Sequence, residues 1–241
     1  ADINGSTGWQ LTGQLPQRAG GHGLLPRPGH LPDSVWNGLV PFDAMPWIAD
    51  FPAGYFATAN NEPVVRSQES GVRSQAPDPG LPTPFLGADY CDPYRVRSIT
   101  EALAAKEGWT IEDCLALQRN VRSIPWEEIR DIVLSLTPSN PESRDALELL
   151  REWDGQVDSE SPAAGVFELF LAEMCVRTAK VKAPKSWKIA LGESAGPLED
   201  SFFADRRIGF RVQQIREQPP GWFLSWPAEM EAALGHVAQH L

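Results

Sequence analysis

Two adjacent side-chain amides, Asn60 and Asn61, lie near the end of the stretch GYFATANNEPV at residues 54–64. A carboxamide NH2 group donates hydrogen bonds without carrying a charge, so one of the two could donate to a group outside the chain. Asparagine is also a common turn residue, because its side chain bonds nearby backbone and tolerates unusual dihedral angles. Pro63 favours a turn, since it restricts Glu62 to extended conformations. These residues alone leave both interpretations open and favour the turn.

The four histidines form two pairs whose spacing could suit a metal ion. His22 and His30 lie eight residues apart in a loop rich in Gly and Pro, and His236 and His240 lie four apart in a predicted helix. A zinc site needs three or four ligands, and the sequence offers no third ligand at a useful spacing. The helical pair also lacks the intervening Glu of an HExxH site. Neither pair therefore predicts a metal centre.

Phosphate-binding glycine signatures are missing from the sequence, since the glycines form neither GxxxxGK[ST] nor GxGxxG. Ser194 lies in a G-x-S-x-G match, GESAG at residues 192–196, and such a match alone is not a catalytic set. The acidic pair Glu127 and Glu128 falls in the first turn of a predicted helix, where a solvated face and the helix dipole explain it. Residue types and spacing alone therefore contain no complete catalytic set.

Charge and hydropathy exclude two classes of protein. The 241 residues carry a formal net charge of -11, with a sequence pI near 4.8. Non-specific nucleic-acid binding needs a basic face, and an acidic balance argues against it. The sequence contains no run of eighteen apolar residues, so we expect no transmembrane helix.

The three cysteines, Cys91, Cys114 and Cys175, have no zinc spacing and form no dense disulfide framework. The favoured interpretation is three small buried or half-buried thiols. A secreted structural domain with one disulfide is the alternative that spacing leaves open.

The patterning divides the chain into two halves of an α+β protein, which we predict as a loop- and strand-rich segment, 1–93, and a helical segment, 94–241. The first half is rich in Gly and Pro and has short strand-like runs, GWQLTGQL and GYFATA, between turn signals. Its tryptophans, Trp9, Trp36 and Trp47, would anchor these loops by burying their rings.

Helix start signals dominate the second half. Thr110, followed three residues later by Asp113, is typical of a capped helix start. Pro125 favours the first turn of a helix. Asn140 followed by Pro141 is typical of a helix cap and a first-turn proline. In SPAAGVFELFLAEMCVRTAK one apolar stripe is expected to face a core. Its members are Phe167, Phe170, Leu171 and Met174.

Four stretches, taken in order, resemble one family. They are ADINGSTGWQLTGQLPQR, then GLLPRPGHLPDSVWNGLVPFDAMPWIADFPAGYFATANNEP, then DPYRVRSITEALAAKEGWTIEDCLALQRNV, and last LLREWDG followed by SPAAGVFELFLAEM. The family is that of the penicillin acylases (penicillin amidases), which are N-terminal-nucleophile (Ntn) hydrolases. The similarity is clear to about residue 178. It implies a part of the αββα-type Ntn-hydrolase fold, with a loop and strand segment followed by a mainly helical one.

The resemblance also implies roles for two residues. In such enzymes a Ser, Cys or Thr at the start of the β-chain attacks an amide carbonyl, with its own α-amino group as base. The first asparagine of Asn-Asn-x-Pro, here Asn60, donates to the developing oxyanion. An arginine at the start of the helical segment orients that asparagine; Arg95 matches it, with Arg97 the second choice. Asn61 is assigned to structure.

The resemblance further implies a structural calcium, held by carboxylates and backbone carbonyls, and no cofactor for catalysis. Gly23 would offer a carbonyl, and Asp78 or Asp89 a carboxylate. The chain opens at Ala1, which matches a point inside the family's β-chain beyond the nucleophile. We therefore expect a central piece of a longer amidohydrolase precursor, inactive by itself, whose partners are the remaining α- and β-chain parts and a small-molecule amide.

Two expectations complete this interpretation. Family precedent places the protein in the periplasm or outside the cell. The alternative function, from a different class, is a non-catalytic scaffold or ligand-binding module built on the tryptophan-rich loops.

Overall fold

The computed structural model describes residues 2–21, 27–51, 53–61, 90–191 and 208–240. It divides into two compact units, Ala1–Glu107 and Gly108–Leu241, which are described separately below. A few short strands come first in the chain and a series of helices follows them. The predicted α+β class is therefore confirmed. The division into two segments at residue 93 stays a prediction.

The strands of the first unit form two small antiparallel pairs. β1 (Gly8–Gln10) pairs with β4 (Trp47–Ala49), and β2 (Pro16–Arg18) pairs with β3 (Trp36–Leu39). Two-stranded ribbons of this length are marginally stable by themselves. The 3-10 turns Pro32–Ser34 and Phe42–Ala44 and the helix α1 (Tyr94–Ala104) complete the unit's regular elements.

The prediction of a strand in GYFATA is wrong. Residues 55–58 pair with no strand in the described part of the chain. Aromatic and β-branched residues favour a strand only where a neighbour accepts the backbone hydrogen bonds. The segment is held by its rings instead: the Phe56 centroid lies 5.3 Å from that of Trp9 and 5.0 Å from that of Phe51.

The predicted tryptophan anchors are only partly correct. Trp9 contributes to this aromatic cluster, whereas Trp36 is 62% exposed. All four residues of β3 are exposed, so the strand that carries Trp36 has no buried face on which the ring could pack.

Seven helices follow among the described residues of the second unit. They are α2 (Ile111–Gln118), α3 (Ile124–Leu134), α4 (Pro141–Glu152), α5 (Pro162–Lys182), α6 (Trp187–Ala190), α7 (Ile208–Glu217) and α8 (Trp226–Ala238). No helix within the described ranges is long and apolar enough to cross a membrane.

The predicted helix starts are confirmed. Thr110 and Asp113 form a reciprocal capping box at the start of α2, and Asn140 caps α4 with Pro141 in the first turn. Pro125 lies in the first turn of α3. These signals work because they satisfy backbone N–H groups that have no partner inside the helix.

The core of the second unit contains a triangle of aromatic rings. Trp126, Trp153 and Phe167 lie 5.2–5.4 Å apart between ring centroids, a spacing typical of favourable aromatic pairs. α4 packs against α5 and α8, and α5 also packs against α7. The predicted stripe of α5 is confirmed as buried: Phe167, Phe170, Leu171 and Met174.

A buried carboxylate connects α8 to the start of α4. Glu231 is only 8% exposed, and its Oε1 accepts hydrogen bonds of 2.8 Å from both the backbone N–H and the hydroxyl of Ser139. Burial by itself would raise the pKa of Glu231. Hydrogen bonds from Ser143 and Ser139 outweigh that effect and hold the pKa below its usual value.

Candidate active site

Asn60 lies in a tight turn of the first unit. Its backbone φ is +61°, in the left-handed region that asparagine tolerates better than most residues. Its carbonyl oxygen accepts a 2.8 Å hydrogen bond from the N–H of Cys91, and the neighbouring Ala59 N–H donates to Asn61 Oδ1 at 3.0 Å. These two bonds hold the backbone around Asn60. Neither of them uses the side chain of Asn60.

Arg95 reaches Asn60 from the first turn of α1. Its Nη1 donates to Asn60 Oδ1 at 3.2 Å, across 35 positions of sequence. The second-choice arginine, Arg97, donates its Nε to Glu101 Oε1 at 2.8 Å, one turn along the same helix. Arg95 therefore contacts Asn60, whereas the Nε of Arg97 contacts Glu101 of its own helix.

This contact determines which way the carboxamide faces. A guanidinium is only a donor, so the atom that it approaches must be the amide oxygen. The Nδ2 of Asn60 then points away from Arg95, and no described residue accepts a hydrogen bond from it. The arrangement leaves an uncharged NH2 donor on a fixed turn, with its oxygen held by a cation.

A third contact links the asparagine segment to α1. The hydroxyl of Tyr55 donates to the Thr100 carbonyl oxygen at 3.3 Å. With the Cys91 bond and the packing of Phe56, it holds the segment at Asn60 and on its N-terminal side. Sequence reasoning missed Tyr55 and Cys91, because a single tyrosine and a backbone N–H carry no pattern that predicts a partner tens of residues away.

The other candidate residues do not form a site. His22, Gly23, Asp78 and Asp89 lie outside the described residues. His30 is exposed in a turn. The rings of His236 and His240 lie 4.5 Å apart between centroids, but the described residues contain no group of three or more His, Cys, Asp or Glu that could hold a metal.

The three cysteines are all free: Cys91 is half-buried, Cys114 exposed and Cys175 buried. The alternative of a disulfide-bearing structural domain is therefore wrong. The expectation of small buried or half-buried thiols holds for two of the three, and the exposure of Cys114 departs from it.

Comparison with known proteins identifies the class. The family model described as penicillin amidase matches residues 1–238, so the chain belongs to the penicillin amidase family. In three dimensions it is similar to the thermostable penicillin G acylase from Alcaligenes faecalis, with a TM-score of 0.58 and 20% identity over 98% of this chain and 44% of that one. This likeness confirms the predicted Ntn-hydrolase fold.

Two relatives show the range of the family. The penicillin acylase 2 proenzyme of Pseudomonas sp. (strain SE83) is 30% identical over all of this chain and 29% of its own length. The acyl-homoserine lactone acylase QuiP of Pseudomonas putida (strain KT2440) is 26% identical over 89% of this chain and 26% of its own length. The chain thus spans less than a third of the curated relatives that it matches.

Proposed function

We propose that this chain is the part of a penicillin-acylase-like amidohydrolase that supplies the oxyanion donor, Asn60, and the residue that orients it, Arg95. The observation that carries the proposal is the contact between Arg95 Nη1 and Asn60 Oδ1 in a member of the penicillin amidase family. The reaction is hydrolysis of an amide that joins a carboxylic acid to an amine.

The chemistry follows from charge development at the carbonyl. Attack by a nucleophile on the amide carbon moves an electron pair onto the carbonyl oxygen, which becomes an oxyanion in the tetrahedral intermediate. A donor aimed at that oxygen stabilises the transition state more than the ground state. Asn60 Nδ2 suits this role because it is neutral, needs no proton transfer and lies on a backbone held by Cys91. Collapse of the intermediate expels the amine, which takes the proton that the nucleophile's α-amino group had accepted, and water then hydrolyses the acyl-enzyme to release the carboxylic acid.

Arg95 acts through Asn60. Its guanidinium holds the amide oxygen and so aims the NH2 group at the substrate side. Its positive charge also draws electron density towards Oδ1, which makes Nδ2 a stronger donor to an anion. A hydrogen-bond donor on a loop, such as the Asn60 amide, needs a contact like that from Arg95 to fix its position. A small displacement of a catalytic group lowers the rate steeply.

The nucleophile and the acyl pocket belong to other parts of the whole protein. The chain covers only 29% of the SE83 proenzyme, and we propose that the remaining α- and β-chain parts complete the site. By itself the chain is inactive. The substrate is a small-molecule amide, which the relatives named as penicillin acylases and acyl-homoserine lactone acylases exemplify.

The compartment and metal content are also proposals. The family resemblance supports a periplasmic or secreted enzyme that needs no cofactor for catalysis. A structural calcium would be held by Gly23 together with Asp78 or Asp89, which lie outside the described residues. No catalytic step depends on that ion.

Asparagine substitution in the full-length enzyme tests the proposal. Asn60→Ala should lower kcat by about 100- to 1000-fold, the usual effect of removing one oxyanion donor. Asn60→Gly should lower it equally, although glycine accepts the +61° φ without strain. The matched control is Asn37→Ala, which removes an exposed amide from β3.

The two outcomes separate the candidate functions. A loss of kcat in both Asn60 variants, with melting temperatures close to wild type, supports the oxyanion role. An unchanged kcat in Asn60→Gly would refute that role. A full-length wild-type protein that hydrolyses no amide would favour the non-catalytic scaffold or ligand-binding module.

A further inference from the structure

The lysines of this chain are concentrated in one place. Four of its five lysines fall within nine residues, Lys180, Lys182, Lys185 and Lys188, and the fifth is Lys106. With Arg177 they make a stretch of five positive charges, and the sequence has no acidic residue between Glu173 and Glu193. The rest of the chain is therefore more acidic than the net charge of -11 indicates.

Helix capping explains only part of this cluster. Lys180 and Lys182 lie in the last turn of α5, where positive charge interacts favourably with the helix dipole. Lys185 lies beyond the helix, and Lys188 lies in α6. All four side chains are exposed, and the dipole of α5 does not account for Lys185 or Lys188.

Tryptophan rings and apolar side chains lie among these lysines. The Nζ of Lys180 is 4.9 Å from the ring centroid of Trp187, and the Nζ of Lys182 is 4.3 Å from that of Trp222. Ile189 is 73% exposed, and Leu224 is fully exposed two residues after Trp222. Exposed cations, half-buried indoles and exposed aliphatic side chains therefore occur together.

We propose that the end of α5, α6 and the turn before α8 form a docking surface for an anionic lipid membrane. The surface comprises the four clustered lysines with Trp187, Ile189, Trp222 and Leu224. Clusters of four or more basic residues on an amphipathic surface bind anionic headgroups. Tryptophan and aliphatic side chains enter the interfacial layer, while long lysine stems keep the ammonium groups at headgroup level.

The choice of lysine argues against a protein partner. The chain uses 16 arginines and five lysines, yet four of the five positive charges in this stretch are lysines. Protein interfaces are enriched in arginine and depleted in lysine, because the planar guanidinium pairs with carboxylates in a defined geometry. Lysine is a point charge on a flexible stem, which suits a diffuse anionic surface.

The geometry also argues against nucleic acid. Single-stranded nucleic acid binds by stacking its bases on open aromatic faces within a basic groove. Here Trp187 and Trp222 already have an ammonium group over the ring.

Vesicle binding by the full-length protein tests the proposal. We expect co-sedimentation with vesicles of phosphatidylcholine mixed with phosphatidylglycerol, little with phosphatidylcholine alone, and a loss of binding in high salt. Each lysine contributes about fivefold to the partition coefficient, so replacing all four by Gln should weaken binding by about 600-fold. Lys106→Gln is the matched control and should bind as wild type does.

A second pair of variants tests the apolar part of the surface. Ile189→Ser should weaken binding several-fold, whereas Ile111→Ser, at a position of nearly equal exposure (75% against 73%), should not. Failure of the full-length protein to bind anionic vesicles would overturn the proposal. So would undiminished binding by the fourfold lysine variant, or equally tight binding of heparin that Ile189→Ser leaves unchanged.

Discussion

At the residue scale, the proposed site depends on one donor, the Asn60 amide, whose direction is set by the Arg95 guanidinium. Asn60 would otherwise be free to rotate its amide by half a turn, and a flipped carboxamide would present an acceptor to an oxyanion. The 3.2 Å contact from Arg95 Nη1 to Oδ1 disfavours that flip. The positive φ of Asn60 matters less for catalysis, because it concerns only the backbone.

A double-mutant cycle in the full-length enzyme tests whether Arg95 acts through Asn60. Arg95→Met alone should lower kcat by roughly 100-fold, because a misdirected donor is nearly as ineffective as a missing one. In an Asn60→Ala background the same change should have little further effect, since coupled residues are non-additive. Additive losses in kcat would show that Arg95 has an independent role. Arg97→Met, on the same helix, is the control.

The pairing of Asn60 with Arg95 shows what local patterns cannot predict. Asn60 and Asn61 alone favoured a turn, and the turn does exist, as the +61° φ shows. The distinction between the two amides depends on contacts with residues 91 and 95. Those contacts are set by tertiary packing, so only the resemblance to a family could indicate them in advance.

At the element scale, the helical unit is held by its aromatic triangle. Phe167 is fully buried between Trp126 and Trp153. Phe167→Ala should lower the free energy of unfolding by about 3–5 kcal/mol, through lost burial and the cavity left behind. Leu169→Ala, on the same helix but 44% exposed, should cost far less. Urea denaturation of both variants would measure the difference, and equal losses would contradict this description of the core.

Glu231 makes the junction of α4 and α8 sensitive to acid. Because its pKa is lowered in the folded state, it stabilises the fold at pH values above the usual glutamate pKa of 4.5. That contribution disappears as the pH falls through the lowered pKa. Glu231→Gln should therefore destabilise the protein by about 1–3 kcal/mol near pH 7, and the difference from wild type should shrink in acid. A difference in the free energy of unfolding that stays constant from neutral pH into acid would contradict this role.

The elements differ in how well their sequences predict them. Helices with proline and capping signals form where expected, because those signals act within one turn of chain. The strand expected in GYFATA does not form with any strand among the described residues, because a strand depends on a partner that can lie anywhere in the sequence. Local physics therefore predicts the helical unit better than the loop-rich one.

At the scale of the whole molecule, the chain is a member of the penicillin amidase family that spans less than a third of its curated relatives. On the proposed division of roles, this chain supplies the oxyanion donor and another part of the protein supplies the nucleophile, and a donor alone cannot hydrolyse an amide. The 241-residue chain should therefore release no amine from penicillin G or an acyl-homoserine lactone, whereas the full-length product should hydrolyse at least one amide of this kind. Turnover by the isolated chain would show that it contains its own nucleophile.

The central claim is that Asn60 Nδ2 donates to the oxyanion. A crystal structure of the full-length enzyme with a tetrahedral adduct, formed by a boronic acid on its nucleophile, measures this directly. We expect Nδ2 at about 2.7–3.1 Å from an oxygen of the adduct, with Arg95 still on Oδ1. An adduct whose oxygens lie beyond hydrogen-bonding distance of Asn60 would contradict the account, and the asparagine would then be a residue of the turn alone.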